Sequence, residues 1–80
     1  MEETVRNVLR EHGNLSADAQ TLGIEEDLYK AGLTSHATVN VMLGLEDALD
    51  FEFPNRLLRK STFQSIQSIQ DALAEAGVDG

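Results

Sequence analysis

The chain has 80 residues, 41% of them apolar, enough for one small core; at this size folding hides only about 60% of the extended chain's surface. Fourteen acids against six bases leave a net charge of −8, which argues against nucleic acid and anionic membranes, both recognised through Lys and Arg, and points to a basic protein surface reached by electrostatic steering. Cysteine and tryptophan are absent and the aromatic residues are three Phe and one Tyr, which excludes a disulfide framework, a thiolate zinc site and a cysteine nucleophile and makes the core aliphatic.

The spacing predicts a first helix over about Glu2–Glu11. Val5, Val8, Leu9 and His12 recur at i, i+3, i+4 and i+7, one helical face. Glu2 and Glu3 complement the dipole at its start, and Gly13 with Asn14 supplies the stop. His12 reads as a packed or boundary side chain, because no second ligand lies at helical spacing. The N-terminus carries no apolar run of signal-peptide type. No stretch approaches the roughly eighteen apolar residues of a membrane span, so a soluble, cytoplasmic protein is expected.

Residues 14–34 form a long connection. Ile24, Leu28, Tyr29, Ala31 and Leu33 must fold back onto the core, so the loop is expected to be ordered, with one turn near Ala17–Thr21. Loops this long inside a compact domain are often functional. Glu25, Glu26 and Asp27 read as a solvated acidic run rather than a cation site, and no metal ligand set is assigned.

A second helix is predicted over Ser35–Leu49 with Thr34 as its N-cap. At 100° per residue Ala37, Val41, Met42, Leu45, Ala48 and Leu49 fall on one broad arc, the expected core face. Val39 and Leu43 fall outside it, among His36, Asn40, Asp47 and Asp50. Two aliphatic residues one turn apart among polar and acidic ones read either as a partner-binding strip or as residues covered by a loop. Residues 31–55 hold four acids and no Lys or Arg.

Phe51 and Phe53 flank Glu52 in a short extended stretch that Pro54 ends. Asn55–Lys60 reads as a short helical turn packing Leu57 and Leu58, with half of all the bases (Arg56, Arg59 and Lys60) inside it. The last helix starts after an N-cap at Ser65, and Ile66, Ile69, Leu73 and Ala76 keep the 3.6-residue period. Gly77 closes it, and Val78–Gly80 is expected to fray. The fold class is therefore all-α, a single domain over 1–80 with three main helices, one short helix and a long ordered first loop.

Catalytic constellations are lacking. His12 and His36 are separated by the long loop, and Ser35 and His36 are sequence neighbours, which do not face each other on a helix. No orienting acid or oxyanion hole accompanies them, and the chain is not expected to be an enzyme. Ser35 remains the hydroxyl of interest. At a helix N-terminus the backbone N–H groups favour a phosphate ester; the alternative is that Ser35 only caps the helix.

The run Asp27-Leu28-Tyr29, Gly32-Leu33-Thr34-Ser35, then Val39, Leu43, Leu45-Glu46, Phe51-Glu52-Phe53-Pro54 and Thr62-Phe63 resembles the acyl carrier protein family, peptidyl and aminoacyl carrier domains included. The likeness covers nearly the whole chain and implies the four-helix bundle of that family. It also implies 4′-phosphopantetheine on Ser35, added by a phosphopantetheinyl transferase, with Thr34 and His36 beside the attachment point. The arm's thiol then carries an acyl or aminoacyl group as a thioester, so a monomeric carrier delivers cargo without doing chemistry on it. The docking face for partner enzymes is expected at Val39, Asn40, Leu43, Asp47 and Asp50.

The signature departs from the family's usual Asp-Ser-Leu. Thr34 replaces the Asp, removing a carboxylate that helps hold the transferase's metal, and His36 replaces the Leu, removing an apolar contact. With Phe63-Gln64-Ser65-Ile66 and Ile69, the run is most similar to small stand-alone bacterial aminoacyl carrier proteins, served by seryl-tRNA-synthetase-like amino acid:carrier protein ligases. A fatty-acid or polyketide acyl carrier, and an unmodified interaction module with the same fold, stay open beside that reading.

Overall fold

The computed structural model describes residues 1–78, and α1 (Glu2–His12), α2 (Ser35–Leu49) and α3 (Ile66–Glu75) are its helices. The described residues include no strand, in line with the all-α expectation. Val5, Val8 and Leu9 of α1 meet Ala37, Val41 and Leu45 of α2 and Ile66, Ile69 and Leu73 of α3 in one core. Phe53 and Phe63 join it edge to face at 5.6 Å, so the aliphatic core carries an aromatic pair at one end. Gly44 marks the tightest helix contact: a Cβ there would meet the His12 ring at 2.7 Å and Val8 Cγ1 at 2.9 Å. His12 is thus a boundary side chain, exposed yet laid against α2.

α1 runs one residue beyond its predicted end. Gly13 keeps right-handed helical angles and its N–H donates to Leu9 O at 2.8 Å. Asn14 takes the left-handed turn, φ 51, which asparagine tolerates better than most side chains. The α2 bounds and its Thr34 cap are as predicted. Its core face is covered from Ala37 to Leu45 and opens in the last turn, where Leu49 is half-buried and Ala48 exposed.

The long loop is ordered because side chains and backbone pin it at several points. The Arg6 guanidinium donates to Ala19 O at 2.9 Å and Leu22 O at 2.6 Å. Leu28 N–H donates to Gln64 O at 2.7 Å, and Gln67 N–H to Ile24 O at 2.8 Å. Ser16 N–H and its hydroxyl both donate to Ala31 O. The predicted turn lies at residues 18–21, closed by Thr21 N–H on Asp18 O. Two of the three adjacent acids have structural work: Glu26 Oε1 accepts from Gly23 N–H, and Asp27 Oδ1 from Tyr29 and Lys30 N–H.

The predicted short helix is two 3₁₀ turns, Asn55–Leu57 and Lys60–Phe63. Neighbouring positions on a tight turn cannot both face the core. Leu57 is buried and Leu58 is 43% exposed, so only the first of that expected pair packs. α3 opens with a reciprocal cap: Ser65 Oγ accepts from Ser68 N–H, and Ser68 Oγ from Ser65 N–H. It closes on Gly77 at φ 86. Val78, expected to fray, is half-buried, and its N–H donates to Leu73 O at 3.0 Å, because the left-handed glycine turns the chain back onto the helix. The rest of the expected tail, 79–80, lies outside the described residues.

Candidate functional site

Three residues in a row bring the chain to Ser35. Gly32 turns at φ 111, and a Cβ there would sit 3.0 Å from Ser16 N, a place only glycine fills without strain. Leu33 is buried and anchors the turn in the core. Thr34 is extended, and its hydroxyl accepts from Ala37 N–H at 3.0 Å. Its carbonyl takes both Thr38 N–H at 2.8 Å and the Thr38 hydroxyl at 2.7 Å. The cap is therefore Thr34. Ser35 is the first residue of α2 and is exposed, which removes the reading of Ser35 as the capping residue.

The first turn of α2 contains no acid, so nothing there offsets the partial positive charge of the unpaired N–H groups. An exposed hydroxyl in that field suits a phosphate ester. His36 follows, also exposed, and no carboxylate sits in that first turn to orient it. The described residues contain no cluster of three His, Cys, Asp or Glu side chains placed to hold a metal ion, and Thr34 supplies no carboxylate.

A cleft of about 600 Å³ opens beside Ser35. Its walls come from the loop (Tyr29, Leu33), from α2 (Thr38, Val39, Met42) and from the 3₁₀ region (Leu58, Arg59, Lys60, Phe63). The Tyr29 hydroxyl donates to Lys60 O at 2.9 Å, and the Lys60 ammonium lies 5.0 Å above the Tyr29 ring centre. Burial raises the Tyr29 pKa above its usual 10.0; the Thr38 hydroxyl pulls it the other way, and the Asp27 charge adds to the rise. The phenol therefore keeps the proton it donates to Lys60 O.

Of the residues singled out in the sequence, Thr34, Ser35 and His36 stand together at the helix start. Val39 (50% exposed), Asn40, Leu43 (52% exposed) and Asp47 follow along the solvent side of α2. Asp50 is exposed at the C-cap with φ 53 and ψ 57. The alternative that a loop covers Val39 and Leu43 is excluded. Sequence reading did not place Tyr29, Thr38, Met42, Leu58, Arg59 and Lys60 at this site. The signal available for the last three was an apolar residue followed directly by two bases.

No protein-family model matches the chain. It is 45% identical over 73 residues to the aminoacyl carrier protein of Agrobacterium fabrum, covering 91% of this chain and 88% of that one. Among solved structures it is similar to the Agrobacterium tumefaciens carrier protein in complex with an engineered Bradyrhizobium japonicum glycine:[carrier protein] ligase and AMP. That match has TM-score 0.89 and 44% identity, and covers 92% of this chain and 99% of the other. A holo acyl carrier protein from Nitrosomonas europaea matches with TM-score 0.81 and 30% identity, covering 92% of each chain.

Proposed function

The chain belongs to the aminoacyl carrier protein family, and we propose that it is a single carrier domain bearing 4′-phosphopantetheine on Ser35. The observation that carries this reading is the exposed Ser35 hydroxyl at the start of a helix whose first turn lacks acids and whose cap is supplied by Thr34. The bound arm supplies a thiol that the cysteine-free chain lacks, and with it a thioester to an amino acid. The protein's own residues do the placing. Gly32 and Leu33 fix the turn, Thr34 holds the helix start, and the first-turn N–H groups left open by the cap would favour the arm's phosphate. Thr34 and His36 flank the attachment point and take the contacts that a transferase makes there.

In this reading the partners are a phosphopantetheinyl transferase and an amino acid:carrier protein ligase, and glycine is the cargo by analogy with the ligase complex of the Agrobacterium tumefaciens relative. The carrier works as a cytoplasmic monomer; no helix among the described residues is long and apolar enough to cross a membrane. The test is sequential loading followed by intact-protein mass spectrometry. A promiscuous transferase adds one phosphopantetheine; a glycine:carrier protein ligase with ATP and glycine then adds one glycyl group to that form only. Failure of the first addition refutes the reading, and acyl but not glycyl loading moves the chain to the fatty-acid or polyketide type.

The docking face in this reading is Val39, Asn40, Leu43, Asp47 and Asp50. Leu43→Asp puts a charge into the apolar centre of that strip without touching the core. It is expected to lower kcat/KM for glycyl loading by about tenfold or more while thermal unfolding stays within about 0.5 kcal/mol of wild type. An unchanged kcat/KM would place the docking face elsewhere.

A further inference from the structure

Three large apolar side chains stand in solvent among the described residues: Val39, Leu43 and Leu58. They come from two separate segments, yet Val39 and Leu58 line the cleft beside Ser35, and Leu43 lies one turn past Val39. Leu58 is held in this position. The first 3₁₀ turn ends on it at ψ 71, Arg59 continues extended at φ −142 and ψ 160, and the Tyr29 hydroxyl ties Lys60 O to the loop.

The charges follow the same geography. α1 places Glu2 and Glu3 in its first turn and Arg10 and His12 in its last, each opposing the dipole. α2 has no acid in its first turn and no base in its last, and instead carries Glu46, Asp47 and Asp50 toward its negative end. Glu46 has local work, its Oε2 accepting from Phe53 N–H at 2.8 Å, and Asp50 is the left-handed C-cap. Asp47, exposed in the last turn, works against the helix dipole, and local stability does not account for it. At the opposite end Arg59 and Lys60 line the cleft with Ser35, while the third base of the cluster, Arg56, donates to Glu75 O instead. Among the described residues no carboxylate pairs with Arg59 or Lys60. Asp47 lies twelve residues along α2 from Ser35, about 18 Å at 1.5 Å per residue, beyond the Debye length of about 10 Å at 0.1 M salt.

We propose that Leu58, Arg59 and Lys60 form a second pole of the docking face, receiving carboxylates of the partner enzyme while Asp47 and Asp50 receive its cations. The partner surface is thus acidic at the Ser35 end, apolar over Val39, Leu43 and Leu58, and basic at the far end of α2. Complementarity at both poles permits one direction of docking along α2, because the reversed direction sets like charges against like at each end. The proposal rests on the carrier reading for the identity of the partner, an enzyme that acts at Ser35.

The experiment measures binding of the apo chain to a glycine:carrier protein ligase by titration calorimetry, comparing wild type with R59E/K60E and with Leu58→Ser. At an ionic strength of about 0.01 M the double reversal is expected to weaken binding by about tenfold or more, and at about 1 M, where the Debye length falls to about 3 Å, most of that loss disappears. Leu58→Ser is expected to weaken binding about equally at both salt concentrations, as an apolar contact does. Thermal unfolding of both variants matching wild type assigns the losses to the interface. Wild-type affinity in R59E/K60E overturns the proposal. So does a loss that appears only after the arm is attached, since the cations would then act on the arm's phosphate and not on the partner. Attachment of the arm to wild type, followed in parallel by mass, reports on the carrier reading separately.

Discussion

Ser35→Ala is expected to abolish both prosthetic-group attachment and glycyl loading, with no residual product by intact mass, and to leave the fold intact. The two halves of that result have separate causes. Attachment needs an oxygen nucleophile at the start of α2. Thr34 is the neighbouring hydroxyl, but it is turned back to accept from Ala37 N–H at 3.0 Å and so serves the helix rather than the solvent. The fold, in turn, does not need the Ser35 hydroxyl. Ser35 is exposed and is the first helical residue rather than the cap, and alanine has the higher helix propensity. Unfolding free energy should therefore stay within about 0.5 kcal/mol of wild type. A Ser35→Ala protein that still gains the phosphopantetheine mass would show that another hydroxyl is the attachment point. A variant that unfolds would show that Ser35 holds the helix start, against the geometry of the Thr34 cap.

Much of this arrangement is legible in the sequence because helices declare themselves by period and cap. The Ser35–Leu49 bounds, both N-cap residues and the place of Val39 and Leu43 off the core face follow from 100° steps and from hydroxyls placed before apolar runs; that no loop covers the pair is seen only in the fold. What escapes is whatever depends on a distant partner. Leu57 and Leu58 are equivalent in composition; only the direction from which the core approaches a tight turn decides that Leu57 goes in and Leu58 stays out. Arg59 and Lys60 read locally as two of the three bases in a short helical turn. Their place beside Ser35 comes from the return of the 3₁₀ segment against the loop, sealed by the Tyr29–Lys60 bond across thirty-one positions. Val78 escapes for the same reason: a terminal valine reads as tail until the Gly77 turn folds it back. The carrier function itself is read from the Gly32–Ser35 run and its resemblance to a family; periodicity gives the helix under Ser35 but no chemistry for it.

The largest effect on stability is expected from Leu28→Ala. Leu28 is fully buried, and its backbone groups are bonded on both sides. Its N–H donates to Gln64 O at 2.7 Å, and its carbonyl accepts from Ala31 N–H at 3.1 Å and Leu33 N–H at 3.0 Å. The residue thus joins the long loop to the start of α3 and closes the turn that delivers Gly32, Leu33 and Thr34. Truncating a buried leucine to alanine costs about 2–5 kcal/mol. An 80-residue domain at about 0.05–0.15 kcal/mol per residue has roughly 4–12 kcal/mol in all. At about 4–8 °C per kcal/mol for a domain of this size, the melting temperature should fall on the order of 15 °C. Because the side chain belongs to the same cluster as Val5, Val41 and Ile69, the loss should appear in global unfolding by circular dichroism and not only in the loop. Hydrogen exchange at Ala31 and Leu33 should rise together with exchange at the core amides. Below the lowered midpoint, Ser35 should still accept the arm, since neither its hydroxyl nor the Thr34 cap is changed. A loss under about 1 kcal/mol, or fast exchange confined to residues 24–33, would show that the loop unfolds independently of the bundle and that the helices alone place Ser35.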